Sequence, residues 1–181
     1  MKRLRDTLAF MICIACISFP VYAAEESAIA VSADAIRVGC SVSFSKQFHP
    51  VQVDPLSTAR FDLLATWQCN DDEKLVIDEY EINGASPEVA TVFYWGRHYI
   101  VVLVKWPTNS LAADYLGDFY KVFTYKYTRV SRKDNFEMDA AAMKRLPAGW
   151  DGHAKDGKVV VYQFKEAAPI RKRLQAIHPD R

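Results

Sequence analysis

Trp150, Asp151 and His153 place an indole, a carboxylate and an imidazole within four residues, punctuated by Gly149, Gly152 and Gly157. A carboxylate and an imidazole at this spacing are groups that a general base draws on, and with an indole they make contacts to a ligand or partner. The same residues fit a turn pair in which the glycines reverse the chain and Trp150 folds back onto the core. Catalysis needs a nucleophile or second group beside them, and the sequence offers none. It contains no GxSxG elbow, Walker loop, GxGxxG, HExxH or paired CxxC. His49, His98, His153 and His178 stand far apart, and none has a second histidine or cysteine two to four residues away. No metal, cofactor or enzymatic activity is therefore expected.

Charge gives the second set of candidates. Asp71, Asp72, Glu73, Asp78, Glu79 and Glu81 stand against Lys74 alone, six carboxylates and one amine, a net of −5 over residues 70–81. Such a stretch steers a basic partner toward it, or serves as a solvated hairpin tip and the outer face of a strand. It lacks the DxDxDG spacing of a calcium loop. Lys165, Arg171, Lys172, Arg173 and Arg181, against Glu166 and Asp180, give a basic C-terminus that balances it.

Aromatics give the third. Phe93-Tyr94-Trp95, Tyr99, Trp106, Tyr115, Phe119-Tyr120, Phe123, Tyr125 and Tyr127 crowd one stretch of chain. Adjacent residues of a strand point to opposite faces, so not all of these can share one core. Either a second layer covers the other face, or some are displayed as interface anchors, with Tyr94, Trp106, Tyr125 and Tyr127 the ones to examine for exposure. The partner-binding candidates are thus Asp71, Asp72, Glu73, Tyr94, Trp106, Trp150, Asp151 and His153.

The elements that must position these groups are mostly strands. Cys40, Val42 and Phe44 alternate with Ser41, Ser43 and Ser45, and Phe61, Leu63, Ala65, Trp67 and Cys69 share one face of the next run. Residues 74–82 read as a strand after a hairpin loop at 70–73. Residues 91–95 and 98–106 flank Gly96-Arg97, the pattern of a two-residue type II′ hairpin. The second of these runs is apolar on both faces, as in a central strand. A long strand is expected over 118–130, a helix over 137–146 ended by Pro147, a loop or turn pair over 150–157 and a short buried strand over 158–164. A C-terminal helix over 167–177 carries Ile170, Leu174 and Ile177 on one stripe. The expected fold is α+β: a mostly antiparallel sheet of about six or seven strands, one or two C-terminal helices and one disulfide.

The chain has 181 residues, 25% charged, and a formal net charge of +1. That balance argues against a nucleic-acid-binding surface. Lys2, Arg3 and Arg5 precede an uncharged apolar run from Leu8 to Phe19, then Pro20 and Val21-Tyr22-Ala23, the layout of a cleaved signal peptide. The apolar run is too short to cross a membrane. Lipidation at Cys16 is the alternative, though Cys13 stands where a lipobox carries Leu. Cleavage after Ala23 leaves a single secreted or periplasmic domain over 24–181, with no membrane anchor and a net charge of −1, because the segment removed holds three basic residues and one acid. Of the four cysteines only Cys40 and Cys69 remain, and in an oxidising compartment they are expected to pair. These features point to an exported soluble binding protein whose partner is another protein, such as an immunity or inhibitor protein acting on a cell-wall-targeting toxin or hydrolase. The alternatives are an envelope structural or assembly component, and a hydrolase with a scattered site.

Overall fold

The computed structural model describes residues 29–49, 59–70, 74–108 and 114–179. The expected signal segment and Asp71, Asp72 and Glu73 lie outside the described residues. The alternating runs near the start form one antiparallel sheet from β1 (Ile29–Ser32), β2 (Cys40–Phe48), β3 (Phe61–Cys69) and β4 (Leu75–Tyr80), in that spatial order. Cys40, Val42 and Phe44 are buried, while the serines between them stand on the other face. Cys40 and Cys69 face each other in register and are joined by a disulfide. The bridge spans 29 positions of chain. Closing such a loop stabilises the fold by about 3–4 kcal/mol on the chain-entropy model.

The second sheet holds β5 (Glu88–Trp95), β6 (Tyr99–Thr108), β7 (Tyr115–Val130), β8 (Lys133–Met138), β9 (Gly149–Ala154) and β10 (Val159–Val160). Its order is β10-β9-β7-β6-β5, and β8 also pairs with β7. The 16 residues of β7 make it the axis of the molecule. Along one edge it pairs with β6, while β9 takes the opposite edge from Tyr115 to Tyr120 and β8 takes it from Tyr125 to Val130.

Burial on both faces explains why β6 is apolar throughout. Ile100, Val102, Val104 and Trp106 pack with the first sheet around Trp67 and Tyr80. Tyr99, Val101 and Leu103 face the other way and pack with Leu146, Phe164, Ile170 and Leu174. Two helices, α1 (Ala140–Lys144) and α2 (Ala167–Ile177), complete that third layer. In α2 the buried residues are Ile170 and Leu174, one turn apart, with Ile177 packed beside them. The fold is α+β, with ten strands in two antiparallel sheets among the described residues. No helix among them is long and apolar enough to cross a membrane.

Several local expectations need correction. Trp95 pairs with Tyr99, so the hairpin loop has three residues, Gly96 to His98, rather than two. The helix expected from Glu137 begins at Ala140, because Glu137 and Met138 are drawn into β8 opposite Lys126 and Tyr125. Asp139 then caps α1, its carboxylate accepting from the Ala142 amide at 2.9 Å. The expected loop at 150–157 is largely β9, paired with β7 and β10. Within 158–164 only Val159 and Val160 form a strand, and the buried residues are Tyr162 and Phe164 beyond it.

Candidate functional site

The two ends of β7 carry different surfaces. At its first half a groove of about 540 Å³ lies between β4 and β7. Trp106, Phe119 and Phe123 form its apolar lining, with Met138 and Lys121 on one side and Asp78, Glu79 and Glu81 on the other. β4 is the outermost strand of its sheet among the described residues, so one of its edges faces away from β3. Glu79 and Glu81 are exposed. Asp78 is committed to the structure: it accepts from the Tyr125 hydroxyl at 2.5 Å and from the Glu79 amide at 2.9 Å. Burial first, then the neighbouring Tyr80 and Asp78, hold the Tyr125 hydroxyl far above its ordinary range.

The aromatic lining continues past the groove. Trp150 on β9 is the register partner of Phe119, with ring centroids 5.1 Å apart, and it stacks flat on Tyr115 at 4.9 Å. Glycine makes this possible. Gly117 and Gly152 face each other with φ of +143° and +147°, and a Cβ on either would stand 2.2 Å from the facing carbonyl oxygen. The strands close over this pair, and the indole reaches across it.

The sequence-derived candidates are not gathered at one place. Trp150 is half-buried in the stack just described. Asp151 and His153 share the opposite face of β9 but are not hydrogen-bonded to each other. Asp151 instead accepts from Lys165 Nζ at 2.9 Å and the Tyr162 amide at 3.0 Å. Burial opposes its ionisation, but the Lys165 contact and the Tyr162 amide outweigh it and hold the carboxyl below the usual range. His153 is exposed. Tyr94 is half-buried, donating its hydroxyl to the Val31 carbonyl at 3.3 Å, and burial pushes it up to about 12. Display of Trp106, Tyr125 and Tyr127 is overturned: all three are buried between the sheets. Trp106 is 4% exposed and donates its indole N–H to the Glu81 carbonyl at 2.9 Å, so it shapes the groove from within. The basic C-terminal helix is also in use, with Arg171 over the Phe93 ring at 4.1 Å.

At the other end of β7 the disulfide borders a cleft of about 700 Å³, lined by Arg37, Trp67, Cys69, Lys74, Leu75, Arg129, Arg132, Lys133 and Asp134. Asp134 organises it. One carboxylate oxygen accepts from Arg37 at 2.6 Å and from the Trp67 indole at 2.8 Å; the other accepts from the Tyr127 hydroxyl at 2.9 Å and faces Arg129 at 3.5 Å. Partial burial resists ionisation, but the hydrogen bonds from Trp67, Tyr127 and Arg37 together with the Arg37 charge keep this carboxyl below the usual range. The turn between β7 and β8 holds Ser131 and Arg132 at φ of +51° and +67°, a two-residue connection with both residues left-handed. Sequence reasoning missed this cleft. Its only local signal was Arg129-Val130-Ser131-Arg132-Lys133, while Arg37 and Lys74 arrive from distant segments.

A histidine–carboxylate pair also went unseen: His49 Nε2 lies 2.6 Å from Asp62 Oδ2, and Asp62 also accepts from the Ile82 amide at 2.7 Å. The pair ties strand ends together, and no hydroxyl or thiol among the described residues hydrogen-bonds to His49. No group of three or more potential metal ligands occurs among the described residues. Comparison with protein-family models, curated proteins and solved structures finds no match to this chain.

Proposed function

We propose that the chain is an exported binding protein that holds another protein in the groove beside β4, as an immunity or inhibitor protein holds a cell-wall-targeting toxin or hydrolase. The observation that carries this reading is the groove itself, an aromatic floor bounded by Glu79 and Glu81, two exposed carboxylates that make no ion pair among the described residues. Apolar contact supplies affinity to such a surface, and the carboxylates select a cationic partner and speed its approach. The outer edge of β4 offers backbone groups to an incoming strand. A partner that engages the edge while its basic side chains meet Glu79 and Glu81 uses every feature of the groove. The disulfide, and the leader-like segment ahead of it in the sequence, support an oxidising compartment outside the cytoplasm.

Affinity capture from periplasmic extract tests this, with the wild-type protein beside a Glu79→Lys/Glu81→Lys variant. One stoichiometric protein, eluted by rising salt from the wild type and absent from the variant, is expected. No such partner, or equal capture by both proteins, would overturn the reading.

A further inference from the structure

We propose that the cleft at the disulfide end is a second binding site, independent of the groove, for an anion bearing two or more phosphate groups. Among the described residues, five cations line the cleft against the single carboxylate of Asp134, a net of +4 for those residues, in a chain whose entire formal charge is +1. Asp134 fixes Arg37 and Arg129 in place. Lys74, Arg132 and Lys133 make no ion pair among the described residues. One carboxylate would match only one of the four uncompensated charges, whereas two phosphates, each near doubly charged, match them all. Three of the five cations are arginines, whose planar fork pairs with two oxygens of a phosphate at once.

Backbone conformation points the same way. The three non-glycine residues with positive φ among the described residues are Asn70, Ser131 and Arg132. Asn70 follows the disulfide cysteine that borders the cleft, and the other two form the turn at its mouth. A turn of this kind takes Asn-Gly with least strain. Ser131-Arg132 keeps a guanidinium at the mouth instead, and strained backbone of this sort gathers at ligand sites.

Titration calorimetry with inorganic pyrophosphate tests the site, with citrate as the carboxylate control. Co-sedimentation with phosphatidylcholine vesicles, with and without phosphatidic acid, is the second arm. Each is run on the wild type, on Arg132→Gly, which relaxes the turn and so keeps the fold, and on Glu79→Lys/Glu81→Lys. Pyrophosphate binding that weakens about ten- to hundredfold in Arg132→Gly is expected, as is weakening with added salt. Binding of pyrophosphate alone identifies a soluble phosphate compound; sedimentation that needs phosphatidic acid, lost in Arg132→Gly, identifies neighbouring lipid headgroups, two or more of which together supply the phosphates. Either supports the proposal. Binding of neither probe, citrate held as tightly as pyrophosphate, or no change in Arg132→Gly overturns it. Because the groove variant should bind pyrophosphate normally, failure at one end is separable from failure at the other.

Discussion

The two ends of β7 meet the same structural demand with opposite choices. Both need backbone at positive φ. Beside the groove the residues are Gly117 and Gly152, whose missing side chains let two strands close together under Trp150. Beside the cleft they are Ser131 and Arg132, which keep their side chains in a conformation that glycine would adopt more easily. The charges differ in the same way. Glu79 and Glu81 stand exposed without ion-pair partners among the described residues, while at the cleft a nearly buried carboxylate braces two arginines. Glycine at the groove end builds a flat aromatic surface. Strain at the cleft end presents a cation.

Breaking the glycine contact should have the largest effect. Gly152→Ala puts a Cβ where the Leu116 carbonyl oxygen lies 2.2 Å away, and backbone cannot yield as a flexible side chain can. The substitution is expected to lower stability on the order of 3 kcal/mol, from the disfavoured φ and the clash together. Denaturant unfolding gives the magnitude. Aromatic circular dichroism should show loss of the Trp150–Tyr115 stack. If the two ends are separate, partner capture at the groove falls while pyrophosphate binding at the cleft persists under native conditions. Equal loss at both would mean that β9 and the β7–β8 turn form one cooperative unit.

That separation was only partly legible in the sequence. Strict alternation in β2 and β3 reveals their faces, and with them the Cys40–Cys69 pair, because the side-chain period of a strand leaves little choice. The stripe Ile170, Leu174, Ile177 marks α2 equally well. β9 was hidden because Gly149-Trp150-Asp151-Gly152 reads as a turn, and only its pairing with β7 makes it a strand. In the same way Ala140-Ala141-Ala142 suggested a helix reaching back to Glu137, until pairing with Lys126 claimed that residue for β8. Trp106 and Tyr125 were candidates for display because the chain does not announce that a second sheet covers them. The groove's acid rim was visible as a charge run, since Asp78, Glu79 and Glu81 all lie within it. The cleft was not, since its cations come from three separate places in the chain, and nearness in space leaves no mark on sequence spacing.

Removing the brace at the cleft should have an intermediate effect. Asp134→Asn takes away a charge that accepts from Arg37, Trp67 and Tyr127, and is expected to cost roughly 1.5–3 kcal/mol at neutral pH. The pH dependence identifies the cause. A carboxyl held low in the folded state contributes stability that is fully present above its unfolded value, about 3.9, and is lost as pH falls through the folded value. The stability gap between wild type and Asp134→Asn should therefore be constant near neutrality and shrink below about pH 4. A gap that stays constant into acid would assign the loss to packing around Trp67 rather than to the charge.

Exchanging the two ends' choices gives the smallest effect and the sharpest comparison. Writing Asn-Gly in place of Ser131-Arg132 gives the β7–β8 turn the residues that its left-handed backbone prefers. The gain is expected to be about 1 kcal/mol, because Gly carries no penalty there and Asn a reduced one. Thermal and denaturant unfolding should both register it. The same variant should bind pyrophosphate more weakly, because the guanidinium at the mouth is gone. Stability and binding would then move in opposite directions from one change, as expected where strain is kept for a ligand. At the groove the corresponding exchange, a side chain for Gly152, should lower both together. If Asn-Gly leaves pyrophosphate binding intact while raising stability, the strain at Ser131 and Arg132 serves no ligand, and the contrast between the two ends reduces to one of surface charge.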